Sequence, residues 1–178
     1  MKKFLNLKSI LCCVAVVFGL IAVFMLFAPA LVDKDGGETV LKGSEIAFGK
    51  KESYEGVSVK VLEASAYVLA FSLALVGTVT AVVALLGKGG KVAPLIAAVC
   101  FLGAAICYFL PIQLLNFYTG ELTGDAKKDY VKYMRDSFKE GCNLGAGAIV
   151  GGVFGIVAAL ASVASVVCPI FLKSNSAE

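Results

Sequence analysis

The chain has 178 residues, of which 59% are hydrophobic and 16% charged, and a formal net charge of +3. Soluble domains run nearer about 45–50% apolar and about 25% charged, so an ordinary soluble domain is excluded, and so small a net charge leads us to expect no nucleic-acid partner. His and Trp are absent, which removes the commonest metal ligand and acid–base residue together with the strongest interfacial anchor.

Lys2, Lys3 and Lys8 open the chain with no acid among them. Residues 10–28 follow as a run without Asp, Glu, Lys or Arg. A bilayer core about 30 Å thick takes about 20 apolar helical residues to cross, and this run reaches that length. Two readings compete for it. Ala28-Pro29-Ala30 has the form of a secretory cleavage site, which would remove the run. A signal core is usually about 7–15 residues, however, so the length favours a retained span. Cys12, Ala15, Gly19 and Ala22 give this span a face of small residues.

Residues 29–63 are polar and glycine-punctuated, with Gly36-Gly37, Gly43, Gly49 and Gly56. Val57-Ser58-Val59-Lys60-Val61 alternates with the period of a strand, which predicts a short hairpin or sheet; irregular fragments are the alternative. Leu41, Ile46, Ala47 and Phe48 are expected to rest on the membrane surface. A second apolar run covers 64–87, with a helix-packing face at Ala66, Ala70 and Ala74 that Thr78 continues. Gly87-Lys88-Gly89-Gly90-Lys91 makes a short turn into a third run, 92–115, which offers Ala93, Ala97, Cys100, Gly103 and Ala104. Pro94 falls in its first turn, where a missing N–H costs little, and Pro111 and Pro169 fall near span ends, where they can bend the helix.

Within the polar stretch 116–143, residues 125–140 read as an amphipathic helix. Ala126, Tyr130, Met134 and Phe138 recur every four residues, and Tyr130, Met134 and Phe138 are expected to seat it at the interface. Asp125 is the expected N-cap and Gly141 the expected C-cap. Acids interleave with its bases, so a structural lid is favoured over a lipid-recruiting element. The last apolar run, 144–172, carries Gly147, Gly151, Gly155 and Ala159 at four-residue spacing, with Ser162 in line. Such a stripe lets helix backbones approach closely, within one subunit or between two.

These four runs predict an all-α membrane protein: a single four-helix transmembrane bundle over 1–178, with a glycine-rich outer loop and an outer amphipathic helix. Orientation follows from Lys and Arg near the span ends. The lysine-led N-terminus, the Lys88 turn and Lys173 place both termini and that turn in the cytoplasm, and 29–63 and 116–143 outside. The raw count opposes this, because the two long segments hold ten of the sixteen basic residues, but they are also much longer.

Motifs for chemistry are missing. The Lys88 turn lacks the spacing of a phosphate loop, and no H-E-x-x-H, G-x-S-x-G or CxxC occurs. Five cysteines, Cys12, Cys13, Cys100, Cys107 and Cys168, lie in apolar runs and read as small packing residues; Cys142 alone lies near the outer surface. Glu52 and Glu55, like Asp125 and Asp129, stand among lysines as solvated faces. No Asp, Glu, Lys, Arg or His lies within a span, where transport of ions or protons usually leaves one; Glu63 stands only at the outer edge of the second. Hence no catalytic, cofactor-binding or metal residue is assigned, no cofactor is expected, and an enzyme is not expected.

The lysine-led first span, the loop with Leu41-Lys42-Gly43-Ser44-Glu45-Ile46-Ala47-Phe48-Gly49, the Gly/Lys turn and the glycine-rich last span give a layout that resembles small uncharacterised four-span bacterial membrane proteins. It is also similar to claudin-like tetraspan proteins, although the paired outer cysteines and first-loop tryptophan of that family have no counterpart here. Neither resemblance brings a functional residue with it. Two functions remain. One is a structural or accessory protein of the cell membrane, whose partners are the lipid bilayer and other membrane proteins or itself as a homo-oligomer. The other is a subunit of an oligomeric channel or small-solute transporter, with Thr78, Thr80, Ser162 or Ser165 along a pore.

Overall fold

Four apolar helices arise where the four runs predict them: α1 (Lys2–Phe24), α3 (Val68–Leu85), α4 (Val92–Phe109) and α6 (Ala146–Ser174). The structure is a computed structural model and describes residues 2–54 and 57–174, so Glu55 and Gly56 lie outside the described residues. The four are long and apolar enough to cross a membrane, which argues for a multi-pass membrane protein. They pack as a ring. Both α1 and α4 pack on α3 and on α6, so α1 stands opposite α4 and α3 opposite α6. Side chains such as Ile10, Val79, Val99 and Leu160 point away from the ring and are exposed, as lipid-facing residues are.

The second and third helices are shorter than their runs, for local reasons. Before α3, the Ser65 hydroxyl donates to the Ile46 carbonyl at 2.6 Å and accepts from the Tyr67 N–H at 3.2 Å, which holds 65–67 in a turn. Ala66 therefore precedes the helix and is exposed; its expected place on the packing face is corrected, while Ala70 and Ala74 are fully buried. After α4, Pro111 disfavours helical geometry at Leu110, and 111–114 becomes a turn. Between α3 and α4 the chain reverses through Gly87, Gly89 and Gly90, all at positive φ (75°, 78° and 58°), which other residues adopt only with strain.

The two long connections fold together into one layer at one end of the ring. Strand β1 (Pro29–Asp33) is central, with β2 (Thr39–Lys42) on one side and β5 (Cys142–Leu144) on the other, both antiparallel. Leu31 pairs with Leu41 and with Leu144 and is fully buried. A separate hairpin joins β3 (Lys50–Tyr54) to β4 (Val57–Leu62), with Glu52 opposite Val59. A bridge between Leu62 and Phe117 ties this hairpin to the second connection.

Between the two sheets, residues 43–48 form a short helix, α2 (Gly43–Phe48), rather than an extended fragment. The Glu45 carboxylate accepts from the Lys42 N–H at 2.8 Å and closes its first turn. Leu41, Ile46 and Ala47 are not at the membrane surface as expected. They are buried in the core beneath the layer, and only Phe48, 57% exposed, faces outward.

Helix α5 (Gly124–Gly141) lies in the same layer. Thr123 precedes it, so Asp125 is a first-turn residue paired with Lys128 at 3.0 Å and not the N-cap, and Gly141 is the last helical residue, with Cys142 beyond it. Its seat differs from the one expected. Val131, Met134 and Phe138 pack against the core, and Phe138 meets the Phe117 ring at 5.6 Å between centroids. Tyr130 is exposed and belongs to the rim. A four-residue repeat drifts by about 40° per step around a helix, whereas positions i, i+3 and i+7 stay on one face.

The C-terminal end of α5 is clamped by the β1–β2 turn. The Lys34 ammonium donates to the Lys139 carbonyl at 2.9 Å and also to the Glu140 carbonyl, and the Lys34 N–H donates to the Gly141 carbonyl at 3.0 Å. A cation at this end satisfies otherwise unpaired carbonyls and opposes the helix dipole. Met134→Asp should release α5, because an uncompensated carboxylate in the seat costs on the order of 2 kcal/mol or more. Hydrogen exchange through α5 should accelerate at least about tenfold while the four apolar helices exchange as before; unchanged exchange would show that Met134 carries no seating role.

Candidate functional site

The best-defined constellation is the middle of the ring, where glycines meet aromatic side chains. A Cβ added at Gly19 would stand 2.6 Å from the Phe101 ring and 2.7 Å from the Thr78 hydroxyl oxygen, and one at Gly77 would stand 2.9 Å from the same ring. Phe101 itself is fully buried. Its ring occupies room that exists only because α1 and α3 carry no side chain at those positions. Around it stand Ala15, Ala81, Ala97, Ala158 and Ala159, all buried.

The small residues of α6 are covered within the chain. Gly147 faces the backbone of Ala28 and Pro29, where a Cβ would lie 2.8 Å from the Pro29 carbonyl oxygen. Gly151 lies under the Tyr108 ring, 3.0 Å from an added Cβ, and Gly155 faces Ala105 and the Phe101 carbonyl at 3.2 Å. Ala159 is buried one turn further on. So Gly147 closes on Ala28 and Pro29 at the start of β1, Gly151 and Gly155 close on α4, and Ala159 is buried beyond them, while Ala70 and Ala74 are buried on α3, the helix opposite α6.

Near the loop end, Tyr108 is fully buried, donates its hydroxyl proton to the Ala22 carbonyl at 2.5 Å, and packs edge-on against Tyr67 with 5.9 Å between ring centroids. Sequence reasoning missed Phe101 and Tyr108 as organising residues. The usable signal was indirect: Gly19, Gly77 and Gly151 each leave a gap that only a large side chain from a neighbour can fill.

The Thr78, Thr80, Ser162 and Ser165 hydroxyls bond within their own helices, whereas the buried Tyr67 hydroxyl has no hydrogen-bond partner. Thr78 donates to the Ala74 carbonyl at 2.8 Å, Ser162 to Ala158 at 2.8 Å and Ser165 to Ser162 at 2.7 Å; all three are buried. Thr80 donates to Val76 at 2.9 Å. A hydroxyl bonded to its own helix has lost the donor a permeating solute would need. No cluster of His, Cys, Asp and Glu suited to a metal ion occurs among the described residues.

Charge is concentrated in the loop layer. Lys50 pairs with Glu52 at 3.1 Å, Lys60 with Glu63 at 3.1 Å and Lys139 with Asp136 at 3.7 Å, all at or near the surface, where each pair contributes at most about 1 kcal/mol. Burial, and then the neighbouring Asp33 carboxylate, push the Cys142 thiol above its ordinary range, with Lys34 opposing. A raised thiol is a poor nucleophile at neutral pH. No family model, curated protein or solved structure matches this chain. What the ring and its layer can do is therefore read from their own geometry, which offers close-packed surfaces and an ordered polar cap.

Proposed function

We propose that this chain is a structural or accessory protein of the cell membrane, a four-helix transmembrane bundle that packs with other membrane proteins or with a second copy of itself, and not an enzyme. The observation that carries this reading is Phe101, whose ring fills the middle of the ring of helices between Gly19 and Gly77. Locally bonded Thr78, Ser162 and Ser165 support it, since they line no polar stripe. The loop layer supports it too: both long connections are tied into a sheet and capped by α5, as a surface for contact requires. The protein reconstituted in vesicles should pass ions and small neutral solutes no faster than protein-free vesicles. A saturable flux would overturn this reading in favour of a channel or carrier subunit.

Both termini and the Lys88 turn face the cytoplasm in this reading, with the sheets and α5 outside as an outer amphipathic helix and cap. The lysines next to the span ends support that orientation. A cysteine introduced at Gly90, where an added side chain meets open space, in a variant lacking the native Cys13 and Cys142, should react with an impermeant thiol reagent only after the membrane is opened. Reaction in intact cells would reverse the orientation.

A further inference from the structure

The count of acids and bases along α5 hides how the structure separates them. At about 100° per residue, Met134, Phe138 and Val131 share the sector that meets the core, with Lys127 at its N-terminal end; Arg135, Lys128, Lys139 and Lys132 fill the next, and Asp125, Asp136, Asp129 and Glu140 fill the one beyond. The order around the helix is apolar, basic, acidic. Along the basic flank runs an open groove of about 720 Å³, lined by Lys127, Lys128, Val131, Lys132, Arg135, Lys139 and one carboxylate, Asp136. All of these belong to α5, so no other element covers the groove. Placing cations at i, i+4, i+7 and i+11 sets like charges side by side, which an isolated helix disfavours. Lys128 and Lys139 each have a carboxylate three residues earlier, but at exposed positions. The Arg135 Nε is buried and has no hydrogen-bond partner in the structure.

We propose that this basic flank holds the phosphate headgroups of anionic lipids in the leaflet on which the loop layer rests. The flank adjoins the seat by which α5 rests on the layer, and its long side chains, largely exposed, have the reach to meet headgroups beside the layer. Apart from Asp136, which lines the groove and pairs with Lys139, the carboxylates lie on the far side of the flank from the seat. There they stand away from the lipid phosphates and would repel a soluble polyanion approaching from water. The charge order thus fits a negatively charged surface beside the helix. The proposal rests on the reading that the loop layer lies at a bilayer surface.

The test is a titration of the full-length protein, held in neutral detergent, with phosphatidylglycerol, with phosphatidylcholine and with inorganic phosphate, each followed by melting temperature. Phosphatidylglycerol should raise the melting temperature and the other two should not. Lys132→Gln, an exposed change, should weaken the apparent affinity about fivefold, the factor that one cation near an anionic surface contributes. Lys128→Gln, Lys132→Gln, Arg135→Gln and Lys139→Gln together should abolish the shift, and Lys88→Gln, in the turn at the other end, should leave it unchanged. An equal response to inorganic phosphate would overturn the lipid assignment. So would a full response in the fourfold variant, or loss of the response in Lys88→Gln. The fate of the wider reading is separate: it is decided by vesicle flux and by labelling at position 90, neither of which depends on lipid charge.

Discussion

Gly151→Leu should lower the melting temperature in detergent sharply and leave the oligomeric state of the surviving folded protein unchanged. A Cβ at this position already lies 3.0–3.2 Å from three atoms of the Tyr108 ring, tighter than an ordinary contact, and leucine adds three more carbons in the same direction. Tyr108 has nowhere to retreat, since its hydroxyl is bonded to Ala22 and its ring abuts Tyr67. Overpacking of about 1–3 kcal/mol and a stranded buried hydroxyl of about 1–3 kcal/mol therefore add. Gly151→Ala should be close to neutral, because the small steric penalty is offset by about 1 kcal/mol of helix propensity. Sedimentation and thermal unfolding on both variants would separate the outcomes. Loss of an oligomer with an unaltered melting temperature would mean that the glycine stripe serves a contact between subunits instead.

Phe101→Ala should be the most damaging truncation in the ring. The side chain is fully buried and touches both Gly19 and Gly77, which cannot extend to fill the space it leaves. Removing a buried Phe costs about 3–5 kcal/mol when the surroundings do not collapse. Phe101→Leu should cost less than half as much, since it retains most of the apolar volume. The cavity would be walled by alanine and glycine with one hydroxyl, Thr78, already bonded to Ala74. Such a space stays dry, so vesicles carrying Phe101→Ala should remain as tight as those carrying the unaltered protein. Wild-type stability in Phe101→Ala would remove Phe101 from the centre of the packing, and new ion flux would show that a polar path lies closer to the surface of the ring than the hydroxyl bonding implies.

The four apolar helices were legible in the sequence because bilayer thickness imposes one length and one composition on any span, and both are local properties. The same holds for the strand at Val57–Leu62, written in a two-residue period, and for α5, written in its amphipathic repeat. The tertiary structure alone decided which neighbours those elements meet. Small-residue stripes on all four helices said that backbones approach closely, but not that Gly151 closes on Tyr108 or Gly19 on Phe101. A stripe records room, not the side chain that fills it. The seat of α5 includes Val131 and not Tyr130, and its partner, Phe117, is held by a bridge to Leu62 that no local pattern encodes. The pairing of β1 with β5, more than a hundred residues apart, has the same origin. The two strands are aligned because α1 and α6 are packed side by side, and that packing is a property of the whole ring.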